Sequence, residues 1–444
     1  MRRERAGGES LWEAVLPAEV RRLPPELAGV DAILADERFL VPFRRRLTAT
    51  TGRPTIAIET YLRLMYLKQR YGLGYETLCR EVSDSFGWRR FCRIGIEGRV
   101  PDPTTLMKLT RRLGPELVEE LNAELLALAV ERKVLRSRRL RVDTTFVEAD
   151  ISAPTDSGLC SHAVSRLTGL CRRIERVAGV GARRVRDRRR SVAKRIRVLS
   201  AQRGRGRGSL PAIDRLTAEI AQRAKQTVRE ARRLADDLRR RRRPALRTLR
   251  ARLEHELEAA EQILAQTDLR LAGQRRIPDR RVSLVDPDAR PIHTGMPGRR
   301  AVRFGYKARV ADTAEGFVIC DVPARGGPVD GSLLDGAIAK ARRSGMQLRS
   351  VYGDRGFGTS TADAALTRHG IRDAVIPRQQ RAGPREHNRA WRRRYRFRNG
   401  LEGRISQLKR KGLRRTRLRT LDGAQIWVAQ IALAHNLQRL ALLS

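Results

Sequence analysis

An aspartate set inside an apolar strand pattern, in a chain crowded with arginine, calls for a chemical reason. In LRVDTTFVEADIS, Leu140, Val142, Thr144 and Phe146 alternate with Arg141, Asp143, Thr145 and Val147. Period two with β-branched and aromatic residues predicts a strand, where an ionised Asp143 is costly unless it is paired or bound to a cation. Asp354 stands in VYGDRGFG, residues 351–358, where an apolar run ends and two glycines let backbone or ligand approach closely. A third acid, Glu402, shares a helix face with Tyr395, Arg398 and Lys409, because at about 100° per residue the four fall within an arc of about 60°. Hard divalent cations take oxygen ligands, so carboxylates converging from separate elements could hold two such ions about 4 Å apart for phosphoryl transfer. Each acid also has a plainer reading. Asp143 reads as an ion pair with a neighbouring arginine, Asp354 as an Asx turn, and the four-residue face as a salt-bridge ladder.

These residues need elements to hold them. VRFGYKARVADT and GFVICDVPA predict two strands joined by a turn around Ala314 to Gly316. SLLDGAIAKARRSG then reads as a helix, LRSVYGD as a strand, TSTADAALTRHG as a helix, RDAVIP as a short strand, and the chain from about 385 as helical. With the intervening segment set aside, this order predicts an α/β architecture, a mixed sheet with helices against it and sites at strand ends. Upstream, residues 54–114 predict compact helices: Ile58, Leu62 and Met65 on one, and Leu78, Val82 and Phe86 on a second after the Gly72 and Gly74 turn. A third has Asp102 or Thr104 as cap and Gly114 as stop, and another helix covers 115–133. Arg89, Arg90, Arg93, Lys108, Arg111 and Arg112 could touch DNA phosphates or form a solvated basic face. Residues 158–275 are dominated by arginine and predict two or more long basic helices, broken near GRGRGSLP and at Pro244. A DNA clamp and a solvated helical hairpin both fit that segment.

Composition narrows the function classes. The 444 residues carry 94 Lys and Arg against 49 Asp and Glu, a formal charge of +45 that attracts polyanions and makes nucleic acid the leading partner. A hydrophobic content of 41% excludes a wholly disordered chain. No apolar stretch reaches about 18 residues, and Glu13 and Glu19 interrupt MRRERAGGESLWEAVLPAEV, so the reading is an unsecreted cytoplasmic protein without a membrane partner. The five cysteines are scattered with no C-x-x-C pair, which predicts reduced thiols. His255 begins HELEAA, but Ala259 stands where a zincin's second ligand belongs, and the histidines read as solvent-facing. Neither GLG at 72–74 nor GRGRG at 204–208 has the spacing of a nucleotide loop; their glycines read as turns or linkers.

Three segments together resemble a known family. DTTFVEADISAPTDSGL, VYGDRGFG and Y-x2-R-x3-E-x6-K are similar to the motifs of DDE transposases from bacterial insertion sequences, in the branch with the Y-R-E-K signature. FGYKARVADTAEGFVI resembles their central hairpin, and the likeness runs from about residue 50 to 440. The resemblance implies an RNase H-like catalytic core with the triad Asp143, Asp354 and Glu402 holding two Mg²⁺ ions, Mn²⁺ being able to substitute. It implies that Tyr395, Arg398 and Lys409 handle DNA near the cut. The implied organisation is an N-terminal helical DNA-end-binding domain at 1–134, core segments at 135–157 and 276–444, and a basic helical insertion at 158–275. The implied activity is metal-dependent cleavage and strand transfer on terminal inverted repeats and target DNA, by a nucleoid-associated homodimer. The basic insertion differs in kind from the β-rich insertion of some relatives, so strand-processing chemistry is left open. Two rivals are an RNase H-like nuclease without strand transfer and a transposase-derived DNA-binding protein that keeps its acids as ion pairs.

Overall fold

The period-two pattern around Asp143 is a strand in the computed structural model, which describes residues 2–5, 17–47, 54–179, 184–203, 209–239, 243–274, 276–293, 302–380 and 383–444. By contact the chain divides into two units, Met1–Asp150 with Ile292–Ser444, and Ile151–Pro291. The first contains a mixed sheet. Its centre is β1 (Arg139–Glu148). A short β2 (Arg290–His293) precedes β3 (Val302–Asp312), which runs antiparallel to β1 with Asp143 opposite Val310. β4 (Val318–Asp321) folds back on β3 as the expected hairpin. β5 (Ser350–Gly353) lies on the other side of β1 and parallel to it, and β6 (Asp373–Val375) extends the parallel half. The order is β2-β3-β1-β5-β6, with β4 on β3. This is the α/β, RNase H-like arrangement. Its consequence for the site lies in one register: Val142 pairs with Gly353, so the next residue of β1 and the residue following β5 are Asp143 and Asp354.

The N-terminal part is helical: α1 (Pro25–Leu34), α2 (Ile58–Arg70), α3 (Tyr75–Asp84), α4 (Phe86–Phe91) and α5 (Pro103–Glu131). Asp102 is the cap of α5, its carboxylate accepting from the backbone of Thr104 and Thr105. At Gly114 the backbone enters the left-handed region, φ 75°, and Pro115 follows. The helix bends where the sequence predicted a stop. Phe86 does not continue the Leu78 and Val82 stripe: α3 ends at Asp84, Ser85 caps the next helix, and Phe86 is 53% exposed at its first position.

The second unit is a bundle of α6 (Asp156–Ala178), α7 (Arg189–Arg203), α8 (Leu210–Leu238) and α9 (Pro244–Leu271). Leu167, Ile174, Ile220, Val228, Leu253 and Ile263 belong to its own apolar core. Gly179 closes α6 in the left-handed conformation, and Pro244 opens α9 where its missing N–H costs nothing. The unit extends past the arginine-dense stretch because the chain after α9 folds back on the bundle, Arg280 pairing with Asp156 and the amide of Gln266 bonding Arg281. The glycines of GRGRG lie outside the described residues.

Two helices make the crossovers that parallel strands require: α10 (Leu334–Arg343) leads from β4 to β5, and α11 (Ser360–Arg368) from β5 to β6. The chain continues through α12 (Arg389–Tyr395) and α13 (Asn399–Leu408) to α14 (Leu421–Leu443). Ala434, Leu437 and Leu440 of α14 share one apolar cluster with Leu27, Leu64, Leu125 and Val142. One core therefore supports both the N-terminal helices and the strand carrying Asp143. His435 on α14 departs from the expectation of solvent-facing histidines: it is buried, its Nε2 donates to the Gly316 carbonyl at 3.0 Å, and burial pushes its pKa down to about 4. All five cysteines are buried and unpaired, as expected of reduced thiols.

Candidate active site

The sheet fixes two of the three sequence-predicted acids, Asp143 in the middle of β1 and Asp354 just past the end of β5. The Asp143 side chain is only 12% exposed. One oxygen accepts the Thr144 backbone N–H at 2.7 Å and the other an Nη of Arg398 at 2.8 Å. Burial, and next the charge of Asp354, push its pKa up to about 6 against the opposing pull of Arg398. Asp354 caps the short turn Arg355–Phe357 by accepting from the Gly356 N–H at 2.9 Å. Burial raises its pKa as well, followed by the charge of Asp330. The Asx turn read from the sequence is real, and it leaves this carboxylate close enough for its charge to act on Asp143.

Glu402 stands apart from the pair. Its side chain on α13 is 65% exposed and accepts from Arg398 at 3.0 Å. Arg398 thus bridges Asp143 and Glu402, and among the described residues no three His, Cys, Asp or Glu side chains stand close enough to hold one ion. The Arg398 Nε is buried and has no hydrogen-bond partner among those residues, which leaves one donor in reserve.

The segment carrying the four-residue face is not one continuous helix. A 3₁₀ turn, Arg396–Arg398, separates α12 from α13, and a π turn, Lys409–Leu413, follows. The cause is the anchoring of Phe397. Its ring packs edge-on against Tyr352 with centroids 4.9 Å apart, beneath the guanidinium groups of Arg139 and Arg141. Arg141, held by Asp312 at 2.6 and 2.5 Å, donates to the Phe397 carbonyl at 3.1 Å. Gly400 is required there, since a Cβ would run into the Arg141 guanidinium. The glycine that weakens the helix lets β1 clamp it.

Tyr395 stacks on Trp391 with centroids 5.0 Å apart and an interplanar angle of 12°. Burial raises its pKa, and Asp354 and Asp143 add to the rise, which puts its ring within their field. Lys409 is half-buried, and desolvation lowers its pKa while Asp143 opposes the fall. The basic residues of the N-terminal helices separate by role. Arg89 is spent on the carbonyls of Gly95, Ile96 and Gly98, and Arg93 on Asp31. Lys108, Arg111 and Arg112 remain exposed, and Lys108 and Arg112 line a cleft with Arg99. Sequence reasoning missed Arg141 and Asp330. Each depends on a partner more than 150 residues away, Arg141 on Asp312 and Asp330 on Thr144, and no local pattern marks them.

The donor set suits a hard divalent cation. Asp143 and Asp354 are both shifted toward protonation, first by burial and next by a neighbouring carboxylate, Asp354 acting on Asp143 and Asp330 on Asp354, and a cation is the species that relieves such repulsion. Residues 18–112 match a family model described as "Transposase domain (DUF772)", and residues 361–441 match one described as "Transposase DDE domain". The second match covers Tyr395, Arg398, Glu402 and Lys409. Together they support a DDE transposase. No curated protein and no solved structure matches the chain.

Proposed function

We propose that the protein is a transposase of the Y-R-E-K branch that cuts phosphodiester bonds at the terminal inverted repeats of its own element and joins the freed 3′-OH to target DNA. The observation that carries this reading is the placement of Asp143, within β1, and Asp354, just past β5, directly after the last paired residues of the two strands and within the field of Arg398. Asp143, Asp354 and Glu402 would hold two Mg²⁺ ions, with Mn²⁺ able to replace them, and such a pair supplies Lewis-acid chemistry to both the attacking and the leaving oxygen. Glu402 reaches this set by turning from Arg398, a motion its exposed side chain permits. Arg398, freed from Glu402 and carrying an unused Nε donor, then grips a phosphate together with Lys409. Tyr395, backed by Trp391, supports the strand near the cut. End recognition falls to the exposed Lys108, Arg111 and Arg112, and joining two ends calls for a homodimer acting in the cytoplasm on nucleoid DNA.

Incubation with Mg²⁺ and DNA bearing the flanks of its own gene tests this. Wild type should produce new 3′-OH ends and Glu402→Gln none; cleavage by Glu402→Gln at ordinary Mg²⁺ would sink the assignment. One observation favours a second reading. Arg398 bonded to both Asp143 and Glu402 is also what a DNA-binding descendant with structural ion pairs would look like. Tight binding of the true ends without cleavage at any Mg²⁺ or Mn²⁺ concentration would select that descendant.

A further inference from the structure

The site has a fourth carboxylate that the sequence motifs leave out. Asp330 opens a short 3₁₀ turn, Asp330–Leu333, just before α10. Its Oδ1 accepts the Thr144 hydroxyl at 2.9 Å and pairs with the Lys307 ammonium at 2.6 Å. Lys307, on β3, also donates to the Pro328 carbonyl at 2.9 Å, which pins the start of the turn that presents Asp330. The other oxygen faces the glycine after Asp354: a Cβ on Gly356 would lie 2.6 Å from Asp330 Oδ2 and 3.1 Å from Asp354 Oδ1.

These contacts fall on the two residues whose backbone N–H groups hold the aspartates. Thr144 gives its hydroxyl to Asp330 and its N–H to Asp143 Oδ1. Gly356 rests against Asp330 and gives its N–H to Asp354 Oδ1. Thr144 follows Asp143 on β1, and successive strand side chains point to opposite faces. Asp330 therefore meets β1 on the face opposite the one that Asp143 turns toward Arg398. A single carboxylate stands behind both donors that orient the two aspartates.

We propose that Asp330 is a positioning residue of the metal site, setting the separation of Asp143 and Asp354 through Thr144 and Gly356. It also brings a negative charge that Lys307 balances in the bare protein. This rests on the reading of Asp143 and Asp354 as cation ligands. Residues that orient ligands from behind typically change metal affinity by about 10- to 100-fold when lost, and a tie that only stabilises the fold would not.

The test is Mn²⁺ binding by the full chain without DNA, followed by the electron paramagnetic resonance signal of free Mn²⁺, alongside thermal melting. Asp143→Asn should lose binding. Asp330→Asn should bind about 10- to 100-fold more weakly with its melting temperature kept. Thr144→Val should weaken binding in the same direction by less, because its N–H remains. Asp330→Asn binding Mn²⁺ like wild type, while Asp143→Asn does not, overturns the positioning role and leaves the site reading standing. Asp143→Asn binding like wild type overturns both. Should Asp330→Asn fail to fold, Thr144→Val decides, and unchanged affinity there overturns the proposal.

Discussion

Asp143 and Asp354 are held very differently from Glu402. The two aspartates sit where β1 and β5 run in parallel register, each with one oxygen on a backbone N–H and little freedom to turn. Glu402 lies on an exposed helix face, tied to Arg398. Strand pairing sets positions through backbone hydrogen bonds and tolerates no sliding, since a slip of one residue would turn Asp143 to the other face. A helix surface sets only a direction. The comparison predicts a prebuilt half-site of two aspartates and a third ligand recruited when substrate arrives.

The sharpest way to break that comparison is to remove one member from each side. Asp354→Asn should abolish Mn²⁺ binding by the free protein, a loss exceeding the roughly 100-fold typical of residues behind the ligands. Glu402→Gln should keep most of the binding while losing DNA cleavage. Equal losses of Mn²⁺ binding in a titration of the two variants would show that Glu402 already belongs to the prebuilt site.

The second effect is smaller and runs against intuition. The pKa of Asp143 is about 6 in the folded chain against an ordinary 3.8. Between those values the folded state binds more protons than the unfolded, so stability falls as pH rises through that window. At neutral pH the ionised aspartate then costs about 3 kcal/mol at most, since one pKa unit is about 1.4 kcal/mol. Asp143→Asn should therefore melt higher than wild type at pH 7.5 and lose that advantage by pH 4, the loss of the ion pair with Arg398 trimming the gain. A variant less stable than wild type at both values would show that the Arg398 pair outweighs the burial of the charge.

What could be read in the sequence follows the same division. β1 was legible because a half-buried strand writes its period into consecutive residues, and Gly114 because a positive φ selects glycine. Asp143 stood out as an acid inside a strand pattern, Asp354 as one where an apolar run meets two glycines, and Glu402 by the helix face it shares with Tyr395, Arg398 and Lys409. Asp330 stayed hidden because its meaning depends on Thr144 and Lys307, 186 and 23 residues away in the chain. The 3₁₀ turn at Arg396–Arg398 was invisible for a similar reason. Nothing in YRFRNGLEGR announces that Arg141 would take hold of the Phe397 carbonyl. Phe86 misled because its spacing continued a stripe that the Ser85 cap interrupts.

The smallest effects separate the two glycines of α13, which the sequence presents as equals. A Cβ at Gly400 would collide with the Arg141 guanidinium, while at Gly403 it would meet no described atom within 4 Å beyond its chain neighbours and the helix's own backbone. Gly400→Ala should cost about 1–3 kcal/mol, the usual range for overpacking a well-filled site. It should also reduce cleavage by loosening the clamp between β1 and the helix of Glu402. Gly403→Ala should stabilise by about 0.5–1 kcal/mol, because an exposed helix interior favours alanine over glycine by that amount. Chemical denaturation of the two variants against wild type reads both signs. Should Gly403→Ala gain stability yet lose cleavage, the flexibility of α13 itself would be required for Glu402 to leave Arg398. The recruited ligand would then be a property of the helix and not of its side chain alone.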